Sequence, residues 1–438
     1  MQRTIVFFLL ITLFASAADA QPRYGDLVFS TGEGQYGNQR GYTAYMDPVS
    51  PGTLTTLASA PAGSFHNWVR MAPNNTDLVI SQATLLTNPN SGELVELRPG
   101  GGQRTIAMFR TFVTDGYELD HDGQWILSAR AMPTSPKQNM VLGVDHISGT
   151  VTPYIGLSTT TWFNEMTIDR DPGFLPYTVV CCCLSGTSGP EVLHTDRRGT
   201  VVTLVSGSTI PPNTAIELHP RTGDYIIGYI SNGNIIRMDR TGKKTILTPF
   251  SGNAIKILQD DTAWIAHGGW SSRTLLRYDL TRNAVITIIP SGIAFGWNLM
   301  GIDVYGSRTL VCNQKSPATV TVNVQSRHPG AKGQQYALAA GFARRPAPPA
   351  KCLQFPNGEY LFLDATGPLF TLSALGLLPG VFQNFQGLLD GAGNNVKPIT
   401  VQIPLSLQAS GITVFVAGVI YGKQAGVIQA TNTHWFVL

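Results

Sequence analysis

One short pattern of polar and apolar positions recurs along the chain. In its clearest copy, Asn164 to Asp169, a polar residue leads and the apolar residues Met166 and Ile168 follow two and four places later. Because successive side chains of a strand point to opposite faces, this alternation predicts a strand with one buried face. Five approximate copies of the pattern occur elsewhere, at residues 67–72, 115–120, 214–219, 253–258 and 298–303.

The spacing of these copies predicts the fold. They recur roughly every 40 to 50 residues, which is the period of four-stranded propeller blades. Each copy precedes a second apolar run, and several third runs end in an aspartate followed by a turn sequence, at Asp145, Asp196, Asp239 and Asp279. Aspartate beside Gly or Thr is typical of tight hairpin turns. We therefore expect an all-β protein with a β-propeller whose innermost strands are the six copies.

The number of blades follows from how the ring closes. A strand is predicted at residues 25–30, but no copy of the pattern precedes it. An open ring would leave strand edges unpaired, so a later segment must supply the missing innermost strand. Gln335 to Phe342 is the best candidate on pattern alone. This favours seven blades, with six as the alternative if the opening unit shares a blade with the last copy.

A change of composition predicts a domain boundary. Pro346, Pro348 and Pro349 cannot donate ladder hydrogen bonds and stiffen the chain at residues 344–350. We therefore predict a propeller at 22–343, a linker at 344–350 and a small antiparallel β-sandwich at 351–438. The strands expected in this sandwich lie at residues 360–363, 369–372, 399–403, 412–417 and 435–438.

Residues 1–20 have the features of a signal peptide. Arg3 is followed by an apolar run at residues 5–14, and Ala18 to Ala20 fits a small-x-small cleavage site. No later run reaches eighteen apolar residues, so no transmembrane segment is expected. The predicted localisation is exported, meaning secreted, periplasmic or cell-surface.

Composition and motifs limit the classes of function. Charged residues make up 13% of the chain and the net charge is +3, with no basic run, so we expect no nucleic-acid partner. Phosphate loops, nucleophile elbows and metalloprotease helices are absent from the sequence. Cys181, Cys182 and Cys183 fit small apolar positions at the end of a strand, while a bridge to Cys312 or Cys352 and a redox or metal role stay open.

Two stretches carry resemblances to known families. Leu119 to Trp125, with its Asp-x-x-Gly turn, resembles the blades of NHL and streptogramin-lyase-type propellers. Val381 to Asp390, together with the final strand from Asn432 to Leu438, resembles a C-terminal domain of exported planctomycete-type proteins. The first resemblance implies the propeller fold, and the second implies attachment to the cell surface, sorting or contact with a partner.

The chain carries aromatic and polar residues where one face of a propeller is expected. That face is formed by the loops that lead into the innermost strands and the loops that follow the second strands. Aromatic rings beside a few hydrogen-bonding groups suit a sugar or another flat ligand, although rings near inner strands also pack between blades. The predicted ligand-binding residues are Tyr36, Arg40, His66, Arg130, Trp162, His267, Trp270 and Trp297. We expect Trp270, which follows two glycines, to be exposed and Trp68 to be buried.

A second set of candidates is expected near the propeller axis. Glu118, Asn164, Asn213 and Glu217 could act at the channel mouth, where oxygen ligands could hold a divalent cation such as Ca²⁺ or Mg²⁺. No cofactor is otherwise expected. The alternative is structural: Arg70 with Glu118, and Glu217 with Lys256, occupy equivalent places on consecutive blades and would pair across the blade interface.

Three functions follow, and the sequence does not identify catalytic residues. The favoured one is an exported, non-catalytic recognition propeller that binds a glycan, peptide or surface polymer through its aromatic-rich face. A metal-assisted lyase or lactonase at the channel mouth is the alternative. The third is a structural component of the cell surface that is attached through the C-terminal domain.

Overall fold

The structure is a computed structural model of the 438-residue chain. It describes residues 22–438 except at short intervals. Those intervals are 23–24, 32–40, 49–50, 52–53, 62–63, 85–90, 99–100, 110–111, 121–123, 132–137, 159–161, 170–174, 183–190, 207–212, 220–221, 230–233, 249, 259–260, 268–273, 290–298, 308, 327–328, 343–352, 356–359, 362, 364, 409, 423–425 and 432–433. The predicted signal peptide and linker therefore lie outside the described residues.

Six four-stranded antiparallel sheets form the blades of the propeller. Blade 1 contains β1 (Leu27–Thr31), β2 (Tyr42–Met46) and β3 (Thr55–Ser59). Blades 2 and 3 contain β4 (Ser64–Met71), β5 (Leu78–Thr84), β6 (Ser91–Leu97) and β7 (Gln103–Phe109), then β8 (Phe112–Leu119), β9 (Gln124–Ala131), β10 (Gln138–Asp145) and β11 (Val151–Ser158). Blade 4 contains β12 (Trp162–Ile168), β13 (Tyr177–Cys182), β14 (Glu191–Thr195) and β15 (Val201–Ser206).

Blades 5 and 6 repeat the same four-strand order. Their strands are β16 (Asn213–Leu218), β17 (Tyr225–Tyr229), β18 (Ile235–Met238) and β19 (Lys244–Thr248), then β20 (Ala254–Ile257), β21 (Thr262–His267), β22 (Thr274–Asp279) and β23 (Ala284–Ile289). The next strand, β24 (Leu299–Val304), pairs with β1 and completes blade 1. The six innermost strands each carry one copy of the sequence pattern and adjoin one another around the ring, β24 next to β4. The all-β propeller predicted from the pattern is confirmed.

The favoured count of seven blades is wrong, and the alternative of six is correct. The sixth copy closes the ring itself, with Val28 opposite Asp303 and Leu27 opposite Val304. Gln335 to Phe342 does not close the ring, because its strand pairs with a strand near the C-terminus. The first and last segments of the propeller therefore share blade 1.

Aspartates organise the turns and the contacts between blades. Asp145, Asp196, Asp239 and Asp279 each accept backbone N–H groups of the turn that follows, as predicted. At the ends of two inner strands, an aspartate binds a tyrosine and an arginine of the next blade. The two sets are Asp120 with Tyr177 and Arg197, and Asp169 with Tyr225 and Arg240. These contacts fasten blade 3 to blade 4 and blade 4 to blade 5.

Two packed sheets form the C-terminal domain. One has the order β25 (Leu310–Ser316), β26 (Thr319–Val324), β32 (Ile399–Gln402) and β30 (Phe382–Gln383). The other joins β31 (Gln386–Leu388), β27 (Gln335–Gly341), β33 (Thr413–Gly422) and β34 (Gly426–Ala430), and β35 (His434–Val437) also pairs with β33. The remaining elements are β28 (Leu353–Gln354), β29 (Tyr360–Leu361), helix α1 (Pro368–Ala374) and 3-10 helices at Pro329–Ala331 and Leu405–Leu407.

The sheets divide the chain after Val304 rather than at residue 343. Strands β25, β26 and β27 were assigned to the propeller by sequence, yet they pair with β32 and β33. Their apolar side chains, among them Leu310, Val322 and Leu338, share one core with Ile399 and Val416. Residues 369–372, predicted as a strand, lie instead in α1, which begins with a proline at its first turn.

This arrangement predicts the result of cutting the chain in the predicted linker. If a protease site inserted at residues 343–352 is cleaved, we expect two fragments that stay together, because β27 pairs with β33 along seven residues from Gln335 to Gly341. Gel electrophoresis in denaturant should show two bands, and size-exclusion chromatography without denaturant should show one species. Fragments that separate without denaturant would contradict the shared core.

Candidate functional site

The innermost strands place one charged side chain from each blade at the propeller axis. The charged residue stands at position four of the repeated pattern in blades 2, 3, 5 and 6. It stands at position two in blade 4 and at position six in blade 1. These positions alternate along a strand and so share one face. We call the set Arg70, Glu118, Glu165, Glu217, Lys256 and Asp303 the axial cluster.

Arg70 is the most buried cation of the axial cluster, with 1% of its side chain exposed. Its Nε donates to Glu118 at 3.1 Å and its Nη2 donates to Glu165 at 2.9 Å. Nη1 donates to the carbonyls of Val69 and Ile302. Burial by itself would lower the pKa of Arg70, but the surrounding carboxylates raise it above the ordinary value. The predicted pairing of Arg70 with Glu118 is confirmed.

Lys256 organises the other half of the axial cluster. Its Nζ lies 3.4 Å from a carboxylate oxygen of Glu217 and 3.4 Å from one of Asp303. Asp303 also accepts the backbone N–H groups of Met71 and Val304, each at 2.8 Å. Burial tends to raise the pKa of Asp303, but Lys256 and the other donors keep it below the ordinary value. The predicted pairing of Glu217 with Lys256 is confirmed.

The buried carboxylate of Glu165 joins three blades, because it lies in blade 4 and accepts hydrogen bonds from blades 2 and 5. Its Oε1 accepts Trp68 Nε1 at 2.7 Å and Arg70 Nη2 at 2.9 Å, both from blade 2. Its Oε2 accepts the backbone N–H of Ile216 in blade 5 at 3.0 Å. Burial raises the pKa of Glu165 to about 7, against the opposing effect of Arg70.

Sequence reasoning missed Glu165 and Asp303, although the strand period contains a signal for both. In blade 4 the fourth position holds the uncharged Thr167, and Glu165 lies two residues earlier on the same face. In blade 1 that position is Gly301, where an added Cβ would lie only 2.8 Å from the Val69 nitrogen. The close approach of the neighbouring strand therefore excludes a side chain, and Asp303 supplies the charge two residues later.

The axial carboxylates are bound by N–H donors rather than arranged as metal ligands. Glu165 and Asp303 accept hydrogen bonds at both oxygens. Among the residues that the structure describes, no group of three His, Cys, Asp or Glu side chains could hold a metal ion. Of the other channel candidates, Asn164 accepts the Ser128 hydroxyl at its carbonyl, and Asn213 lies in β16. Glu118 and Glu217 are ion-pair partners.

Two of the predicted ligand-binding residues are described with their side chains. His66 is buried, with 1% exposed, and its Nδ1 lies 2.8 Å from the Thr43 hydroxyl. Burial lowers the pKa of His66 to about 4, so its imidazole is neutral. His267 donates from Nδ1 to the Ser251 carbonyl and packs edge-on against Phe250. These contacts give both histidines structural roles and do not support direct ligand contact by His66.

The remaining ligand-binding candidates are only partly covered by the structure. Arg130 and Trp162 lie in β9 and β12, at the end of the blades where the longer connections run. The other four, Tyr36, Arg40, Trp270 and Trp297, lie outside the described residues. Trp68, expected to be buried, has 4% of its surface exposed, which agrees with that prediction.

Comparisons with known proteins find similarity only at the level of overall structure. No protein-family model and no curated protein matches the chain. A chain of a nidogen/laminin complex aligns over 64% of this chain and 98% of its own, at 9% identity and a TM-score of 0.49. A Bacteroides caccae protein of unknown function aligns over the same shares at 12% identity and a TM-score of 0.46.

A third solved structure is a calcium-binding protein, regucalcin, from Agrobacterium tumefaciens. It aligns over 60% of this chain and 83% of its own, at 14% identity and a TM-score of 0.40. Likenesses this distant assign no family and no function. The propeller fold rests on the strand pairing described above. The described part of the chain contains no helix that is long and apolar enough to span a membrane.

Proposed function

We propose that this protein is an exported, non-catalytic recognition propeller that binds a glycan through the face formed by its longer connections. We call this surface the ligand face. It comprises the segments between the second and third strands of each blade, and the segments leading into the inner strands. The candidates Tyr36, Arg40, Trp270 and Trp297 fall in these segments.

The observation that carries this proposal is the difference between the two ends of the ring. At the end opposite the ligand face, His434 of the C-terminal domain donates to the Pro73 carbonyl at 2.8 Å. Tyr305, just after the last propeller strand, donates to the Thr76 carbonyl at 2.8 Å. The C-terminal domain therefore contacts the turn end of blade 2, which is the end opposite the segments that we assign to the ligand face. Attachment at one end and recognition at the other fit such an arrangement.

The chemistry of the axis supports binding rather than catalysis. A general acid or base needs a free position from which to reach a substrate proton. Arg70 and Glu165 are buried and hydrogen-bonded to each other, and the buried Asp303 accepts two backbone N–H groups. We therefore favour a glycan over a lyase or lactonase substrate. Low charge also favours an uncharged ligand, since 13% charged residues leave little for electrostatic recognition.

The proposal is tested by binding to a panel of polysaccharides with two variants and one control. Trp270→Ala and Trp297→Ala should each weaken glycan binding by ten-fold or more if the rings stack on sugar, at about 1.4 kcal/mol per ten-fold. Arg282→Ala is the control, because Arg282 is 84% exposed on a turn at the opposite end of blade 6. It should bind like the unmodified protein.

Two outcomes would argue against the proposal. If every polysaccharide fails to bind while peptides of the cell surface bind, the ligand class is wrong, and the ligand face stands only if the tryptophan variants weaken peptide binding. If Arg282→Ala weakens binding and the tryptophan variants do not, recognition occurs at the other end of the ring. Isothermal titration calorimetry on the full chain gives the affinity in each case.

A further inference from the structure

We propose that Glu165 is the proton-binding group of a pH-sensitive junction that links blades 2, 4 and 5 inside the folded ring. The junction consists of the Glu165 carboxyl group, the Trp68 indole, the Arg70 guanidinium and the Ile216 backbone N–H. It is independent of the ligand face and would operate whether or not a glycan is the ligand.

The axial cluster contains more acids than cations, which favours protonation of one of its carboxyl groups. Four carboxyl groups, those of Glu118, Glu165, Glu217 and Asp303, share two cations. Fully ionised, the cluster carries an excess of two negative charges in a buried place, which is costly. A proton taken up by one acid removes half of that excess.

Exposure and pairing identify Glu165 as that acid. Glu118 is 23% exposed and can be hydrated, while Asp303 is held ionised by Lys256 and two backbone donors. Glu217 keeps a contact with Lys256. Glu165 is 1% exposed, and the one cation that pairs with it among the described residues, Arg70, is shared with Glu118. It is therefore the carboxylate with the poorest balance between burial and compensating charge.

Protonation changes the hydrogen bonds of Glu165 unequally. The three described groups that touch its oxygens are all donors, so a carboxylic acid hydrogen has no acceptor among them. Oε1 accepts two hydrogen bonds and Oε2 accepts one. Protonation of Oε2 therefore disturbs fewer hydrogen bonds than protonation of Oε1. The N–H of Ile216 then faces a hydroxyl oxygen, which is a weaker acceptor than a carboxylate oxygen, while Trp68 and Arg70 keep Oε1 as their acceptor. The link from blade 4 to blade 5 weakens, and the link to blade 2 stays.

The pKa of Glu165, raised to about 7 from 4.5, sets the direction of the coupling to stability. Between these values the folded protein binds more protons than the unfolded chain. The free energy of unfolding therefore decreases, through this group, as the pH rises from about 4.5 to about 7, and is level above that. Proton uptake by Glu165 within this window therefore stabilises the folded state, so protonation of the junction is compatible with the folded ring.

The test follows the indole N–H resonances of the full chain labelled with ¹⁵N-tryptophan between pH 5 and 9. Trp68 is identified among the seven tryptophans by its absence in Trp68→Phe. Its resonance should move with a midpoint near 7, and Glu165→Gln should abolish this movement. Glu217→Gln is the matched control: it removes a neighbouring negative charge, so the transition should persist with a lower midpoint.

A Trp68 resonance that does not move over this range, or that moves equally in Glu165→Gln, overturns the proposal. If Glu165→Gln does not fold, infrared difference spectra of the unmodified protein between pH 5.5 and 8.5 replace it. With ¹³C-labelled glutamate, they should show a protonated carboxylic acid that is absent at the higher pH. Absence of that band overturns the proposal as well.

Discussion

Replacing Trp68 by alanine should lower the free energy of unfolding by about 3–5 kcal/mol, the usual cost of removing a buried large aromatic ring. Trp68 is 4% exposed and packs in the core between blades 2 and 3 with Tyr117, Trp125 and Leu127. Its indole also donates to Glu165, which would lose one of its three donors. Urea denaturation followed by circular dichroism measures the change.

Trp68→Phe separates the contribution of ring packing from that of the hydrogen bond to Glu165. It keeps most of the ring volume and removes the N–H donor, so its cost should be smaller, about 1–3 kcal/mol for a buried acceptor left with fewer partners. Trp125→Phe is a parallel control in the same core, because its Nε1 donates to His146 and not to an axial residue. A Trp68→Ala variant as stable as the unmodified protein would show that this ring is not part of the core.

Replacing Arg70 by alanine should cost about 3–5 kcal/mol, because it leaves buried carboxylates without their cation. Arg70 binds Glu118 and Glu165 and two backbone carbonyls, which connects blades 1 to 4 through one side chain. The loss should appear as a lower midpoint of urea denaturation. Lys256→Ala should cost less, since Lys256 is 16% exposed and water can hydrate the acids that it leaves.

A double variant tests whether charge imbalance causes the loss. Arg70→Met with Glu165→Gln removes the cation and one of its acids together, and a similar-sized apolar side chain fills the space of Arg70. Replacing both members of a buried pair is often close to neutral, whereas removing one is not. The double variant should therefore be more stable than Arg70→Met alone. If the two variants are equally unstable, packing of Arg70 determines the effect instead of its charge.

Much of the propeller could be predicted from sequence because its innermost strands repeat one alternation. The six copies all became inner strands, and the aspartate turns formed where Asp145, Asp196, Asp239 and Asp279 predicted them. The closing strand could not be predicted in this way. Residues 335–341 and 299–304 have the same apolar alternation, so pattern alone cannot choose between them. The choice is made by the C-terminal core, which buries Tyr336 and Leu338.

The candidate site could be predicted only where its residues occupied equivalent places. Arg70, Glu118, Glu217 and Lys256 share position four of the pattern, and their pairing followed from that register. Glu165 and Asp303 do not share it, because Thr167 and Gly301 occupy the fourth position of their blades. Their roles depend on how closely neighbouring strands approach, which the sequence of one strand does not contain. The burial of His66, a predicted ligand-binding residue, also could not be read from its own strand, because it depends on strand β2 of another blade.

The closure of blade 1 by β24 sets an order for folding. The backbone N–H of Met71 donates to the carboxylate of Asp303, 232 positions further along the chain, so this contact cannot form until almost the whole ring has been synthesised. Contacts between such distant residues form slowly, since the intervening chain must first lose its freedom. Until β24 arrives, β1 has an open edge and Arg70 lacks the Ile302 carbonyl. A chain released or cleaved before residue 304 would therefore keep an unpaired strand edge, and such an edge can pair with another unfinished copy.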